Sequence, residues 1–273
     1  MIFLHGRGAV YGELWFNEEP AFARGVDILQ YRFRNAPVAN ARATPLLSMV
    51  SDLAPGEEAI AGRFGKDCRY KIRRAETKDG LRAEFSAEPE RRLEAFADFF
   101  DSFAKQKGHS RCDRHWLRAA CEAGQLALSA AYRGEDELVW HAHVLCGTSA
   151  GLQYTASHFR GQDNDYRALV GRANRWLHWK DMQKLKSMGF ERYDWGGLFA
   201  DESTPERAGI NRFKRDFGGE QIRVYECMLP VSLKGRVYLP LREAWRRRRM
   251  RRTDYAPAPD GLRAERPRTT FTS

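Results

Sequence analysis

Apolar residues follow two patterns along this 273-residue chain. Alternation, or dense β-branched and aromatic content, suits strands, and recurrence every three or four positions suits helices. Residues 26–34 and 44–53 have strand composition, with Pro37 and Pro55 among the punctuation. A helix is expected over 55–76, since Pro55 and Glu57/Glu58 open it and basic residues close it. Residues 80–88 read as a strand. Leu93, Phe96, Phe99, Phe100 and Phe103 then recur at helical spacing on a core-facing stripe. A short helix around 113–122 leads into three strand-like runs, QLALSAAYR, DELVWHAHVLC and GLQYTASHF, separated by glycine-containing turns, which predicts an antiparallel meander.

The longest helical pattern covers 165–188. Its apolar stripe is Tyr166, Leu169, Val170, Ala173, Trp176, Leu177 and Leu185, and Arg167, Arg172, Arg175, Lys184 and Lys186 lie mostly elsewhere. A short strand, ERYDWGG, follows. Residues 204–218 predict a helix and 220–229 a closing strand. The order predicts an α+β fold with a mixed, mostly antiparallel sheet flanked by helices. A dinucleotide fold would need repeated βαβ units and a GxGxxG turn, which is absent. Residues 1–241 are read as one domain and 242–273 as a basic, flexible tail.

Composition changes this picture only in places. Sixteen Phe, ten Tyr and seven Trp mark an ordered globular chain. No run approaches the roughly 18 apolar residues of a membrane helix, so a cytoplasmic location is expected. The five cysteines form no CxxC pair and read as reduced thiols, mostly in the core. His141 and His143 share one face of a strand without a clear third ligand, so a packed or hydrogen-bonded pair is expected and no metal. Net charge is +10, and ten arginines stand against four acids between 242 and 268. The block AWRRRRMRRT, with Arg246, Arg247, Arg248 and Arg249, would meet phosphate or an anionic lipid surface favourably, as would Arg167, Arg172 and Arg175 on the basic helix face.

Four segments belong together: RYKIRRAETKDGL at 69–81; the long helix with Asn174 and Trp179 running into MGFERYDWGG at 188–197; INRFKRDFGGE at 210–220; and the strand after it with its proline-containing sequel. In this order they resemble the FemAB family of aminoacyl-tRNA-dependent transferases, variants of the GNAT acyltransferase fold, here as a single-domain form. The resemblance implies transfer of an amino acid from aminoacyl-tRNA to an amine of a peptide, cell-wall precursor or amino-sugar, with no cofactor required. It implies catalytic roles for Lys214 and Phe213; by position Asp194 and Glu220 are candidate bases, and Tyr154, Asn174, Trp195 and Arg212 are candidate substrate contacts.

Attack of an amine on an ester builds negative charge on the carbonyl oxygen, which a fixed ammonium would stabilise. Two alternatives stay open. One is an N-acyltransferase using acyl-CoA or an acyl carrier protein, although the [QR]xxGx[GA] phosphate loop is matched only by Arg167-Ala-Leu-Val-Gly171-Arg-Ala173, one residue too long and inside the predicted helix. The other is a non-catalytic module that binds RNA or, through the arginine-rich tail, an anionic membrane. Standard family members carry two such domains and some a coiled-coil insertion; this chain has room for one complete domain and shows no heptads, which leaves the acceptor open.

Overall fold

The computed structural model describes residues 1–6, 8–20, 24–159 and 162–249. The fold is α+β, and the chain divides into two compact units. The first takes Met1–Val50, Gly196–Asn211 and the chain from Glu220 on, and the second takes Ser51–Trp195 and Arg212–Gly219.

In the first unit, β1 (Ile2–His5), β2 (Val10–Trp15), β3 (Ile28–Arg34) and β4 (Arg42–Asp52) are joined by the late strand β10 (Glu220–Pro230). β10 inserts between β3 and β4, antiparallel to both, while β2 and β3 run parallel. β1 and β2 were not read from the sequence. β1 has only four residues, though Ile2, Leu14 and Trp15 are buried. Between β4 and β10 the chain forms α6 (Pro205–Arg215), whose last turn belongs to the second unit, and it closes with α7 (Leu233–Arg249). The basic tail expected from 242 therefore begins inside a helix; from 250 it lies outside the described residues.

The second unit matches the expected order closely. β5 (Leu81–Ser86), β6 (Leu126–Arg133), β7 (Asp136–Cys146) and β8 (Ser149–Ser157) form an antiparallel ladder, and β9 (Arg192–Gly197) adds in parallel to β8. Packed with them are α3 (Leu93–Lys107), α4 (Arg114–Glu122) and α5 (Asn164–Ser187). Local chemistry sets the ends. Asp113 accepts the amide of Trp116 at 3.0 Å to cap α4, Asp163 accepts that of Tyr166 at 2.7 Å to cap α5, and Gly108 ends α3 in the left-handed region.

The helix expected over 55–76 is two helices, α1 (Glu57–Gly62) and α2 (Lys66–Lys78). Phe64 turns inward at the break, edge-on to Trp179 at 5.3 Å and to Phe217 at 5.2 Å, and the amide of Gly65 donates to the Asp216 carbonyl at 2.7 Å. A continuous helix would have used that amide internally. Arg172 donates twice to Asp79, at 2.6 and 3.0 Å, tying α5 to the end of α2. Cys68, Cys112 and Cys227 are buried thiols, and Cys121 and Cys146 are half-buried. Among the described residues no helix is long and apolar enough to cross a membrane.

Candidate active site

The parallel ladder between β8 and β9 is short. It pairs Ser149–Gly151 with Arg192–Asp194 and stops there, although β8 runs on to Ser157. Asp194 stands at the end of that ladder, 1 % exposed, and accepts from Arg192 Nη2 at 3.0 Å. The last turn of α6 brings Lys214 into its field. Burial lowers the Lys214 ammonium to about 8, and the negative charge of Asp194 acts in the opposite direction. The two residues thus form one electrostatic unit. Asp194, a candidate base in the sequence, is ion-paired with Arg192 and acts on Lys214 through its charge.

Most of RFKRDFGGE acquires a place. Arg212 is exposed. Phe213 is half-buried, with its ring 5.5 Å from Phe217, 5.6 Å from His178 and 6.4 Å from Trp195, and the Arg175 guanidinium lies 4.7 Å over it. Asp216 takes Arg175 Nη2 at 3.4 Å on its side chain. Phe217 is buried against Trp195 at 4.4 Å. Gly218 sits at φ +64°, and a Cβ there would lie 2.0 Å from the Arg63 carbonyl oxygen. Only glycine fits that conformation and that space.

Beneath this turn lies a buried polar cluster. Asp181 on α5 accepts from His141 Nδ1 at 2.7 Å and from His143 Nε2 at 3.1 Å, so the two strand histidines are a hydrogen-bonded pair on one face, as their spacing suggests. His141 Nε2 lies 2.9 Å from Asn174 Oδ1. Burial raises the Asp181 carboxyl, but His143 and His141 outweigh it and hold the group well below the usual carboxylate range. His178 stacks on His141 with centroids 4.0 Å apart, and its Nδ1 is 2.9 Å from the Tyr193 hydroxyl. Burial, and then the neighbouring His141, push His178 far down, which keeps it neutral.

His141, His178 and Asp181 offer atoms within 4.8 Å of one another, the spacing of a cation site. The two rings are nearly parallel at 23°, which aims their lone pairs side by side rather than at a common point, and both His141 nitrogens already have partners. The cluster is built for hydrogen bonding. Sequence reasoning missed His178 and Asp181, although a signal was present: Asn174, His178 and Asp181, at i, i+4 and i+7, interrupt the apolar face of α5 with polar groups.

The other expected residues scatter. Trp195 is 1 % exposed, donates its indole N–H to Ser51 Oγ at 2.9 Å and packs on His178 at 4.7 Å, so it supports the site from below and is not open to a substrate. Tyr154 packs with Phe100, Trp116 and Phe96 at 4.9, 5.9 and 6.1 Å, in a cluster of α3 and α4 that shares no residue with the rings around Phe213. Burial pushes its hydroxyl up to about 12. Asn174 serves His141. Among the arginines expected to meet phosphate, Arg167 is exposed, Arg172 is engaged by Asp79 and Arg175 by Asp216 and Phe213. The side chains of Arg246, Arg247, Arg248 and Arg249 lie outside the described residues.

Residues 62–215 match the family described as acetyltransferase (GNAT) domain. Among solved structures, the crystal structure of FemX is similar with a TM-score of 0.59 at 13% identity, over 80% of this chain and 75% of that one. L-PGS from Bacillus licheniformis follows at 0.50 and 11% identity, over 88% and 84%. At such identities the likeness is one of fold. No curated protein matches in sequence.

Proposed function

We propose that this chain, which belongs to the acetyltransferase (GNAT) domain family, is an aminoacyltransferase that moves an amino acid from aminoacyl-tRNA to the amine of a peptide, cell-wall precursor or amino-sugar. The observation that carries the reading is the half-buried Lys214 ammonium, coupled to Asp194 at the end of the β8–β9 ladder and framed by Phe213. The neutral amine attacks the ester carbonyl, a C–N bond forms, and the C–O bond to the ribose breaks. The amine's surplus proton leaves with the ribose oxygen as its hydroxyl, carried by the substrates. Lys214 stabilises the intermediate oxyanion, Asp194 keeps Lys214 charged, and Phe213 bounds the acyl group.

The N-terminus of α5 favours a donor other than CoA. Its free amides are where a GNAT pyrophosphate would bind, but Asp163 occupies the Tyr166 amide and Asp165 adds a second negative charge in the first turn. Gly171 of the loop-like sequence lies well inside the helix. The family description keeps a second reading open, the same attack on an acyl-CoA thioester.

Purified protein offered charged tRNA, acetyl-CoA and longer acyl-CoAs with a panel of amines decides between them. Amide product that disappears when the donor is treated with RNase is expected; product from acyl-CoA alone would replace the tRNA reading. Full turnover by Lys214→Ala would remove the catalytic role of that residue, and RNA binding by the wild type without turnover of any donor would favour a binding module.

A further inference from the structure

We infer that α7 is a membrane-surface helix that holds the protein on an anionic bilayer, whichever acyl donor it uses. One face of α7 is fixed to its own unit. Ser232 Oγ accepts from the Gly235 amide at 2.9 Å and donates to Asp27 Oδ1 at 2.6 Å, and Gly235 sits so close that a Cβ would lie 2.1 Å from the Asp27 carbonyl oxygen. Leu239 is 3 % exposed and packs with Ala9, Tyr11 and Ile28, and Arg242 lies 5.5 Å over the Tyr11 ring. The helix is thus held in one rotation about its axis.

The opposite face is apolar and open. Leu233 is 80 % exposed, and Val237 and Leu241 are each 65 % exposed, the three most exposed of the large apolar side chains in the described residues. They recur at i, i+4 and i+8, and exposed Pro240 and Ala244 fall among them, so that five residues occupy an arc of about 100° at 3.6 residues per turn. Exposed Lys234 and Arg236 flank that arc on either side. The sequence then continues Trp245, Arg246–Arg249, Met250, Arg251 and Arg252.

An apolar stripe edged by cations, followed by an aromatic and an arginine block, is the composition of a helix lying in the interface of a bilayer with anionic headgroups. RNA would use the cations but not the stripe. A protein partner would cover the stripe, but nothing in that pairing calls for so dense a run of arginine. Charge complementarity and the apolar arc together select the lipid surface.

The test is flotation of the full chain with vesicles of phosphatidylcholine alone or mixed with phosphatidylglycerol, at low and high salt. Binding to the mixed vesicles, weaker at high salt and weaker still on the neutral ones, is expected. The triple variant Leu233→Ser, Val237→Ser, Leu241→Ser should lose that binding by about tenfold or more while keeping the wild-type circular dichroism, because all three side chains are exposed. Equal binding by the triple variant overturns the role of the stripe. No binding of the wild type to mixed vesicles overturns the proposal, as does RNA binding without vesicle binding. A wild-type dimer that the triple variant dissolves would assign the stripe to a second copy of the chain instead.

Discussion

Lys214 meets two opposing demands. Oxyanion stabilisation needs an ammonium close to the reacting carbonyl and shielded from water, yet shielding itself favours the neutral amine. The balance struck here, at about 8, has a direct consequence for rate. If the charged form is the working form, kcat/KM falls as pH rises through about 8, whereas a lysine acting as a base would make it climb over the same range. Asp194 holds the ammonium up, so Asp194→Asn should move that alkaline limb to lower pH, which a pH–rate profile reads directly. Lys214→Ala should cost roughly 100- to 1,000-fold in turnover, or about 2.7–4 kcal/mol, with an unchanged melting temperature or a slightly higher one. Lys214 and Phe213 drew attention in the sequence because a distinctive string surrounds them. Asp181 and His178 did not, because reading α5 as an apolar stripe counts the residues that fit and passes over the polar ones that interrupt it.

At the scale of elements, the second unit was legible nearly strand by strand, since β6, β7 and β8 carry strong apolar patterns and glycine turns. The break between α1 and α2 was not, because its cause is remote: the Gly65 amide is claimed by Asp216, some 150 residues along the chain. That junction is also crowded by Gly218. Gly218→Ala would need both a left-handed backbone and space that the Arg63 carbonyl fills. It should lower stability by at least about 1–2 kcal/mol, seen as a shifted denaturant midpoint. Asp181→Ala, which leaves His141 and His143 buried without their shared acceptor, should cost about 3–5 kcal/mol by the same measurement.

For the whole molecule, acid is the expected weakness. His178 stays neutral in the fold because burial and His141 push it far below its ordinary 6.5. The unfolded chain takes up that proton as pH falls through about 6.5 and the native chain does not, so stability declines below that point. Melting temperatures between pH 8 and 5 should show the decline, and His178→Phe should flatten it. The net charge of +10 suggested an anionic partner from composition alone. Which one could not be read there, because the arginines are visible in the sequence while the exposure of Leu233, Val237 and Leu241 depends on which face of α7 the rest of its unit covers.

The string around Lys214 divides its labour unevenly. Phe217 and Gly218 close a tight junction and would be required of any descendant that folds, whether or not it turns over substrate; Lys214, if it is the charge stabiliser proposed above, is required only of one that does. Among relatives, a chain that reads FxRDFGG with another residue at x is therefore expected to be an intact scaffold that has left catalysis. Position 214 alone would then separate working enzymes from pseudoenzymes within a lineage whose shape has not changed.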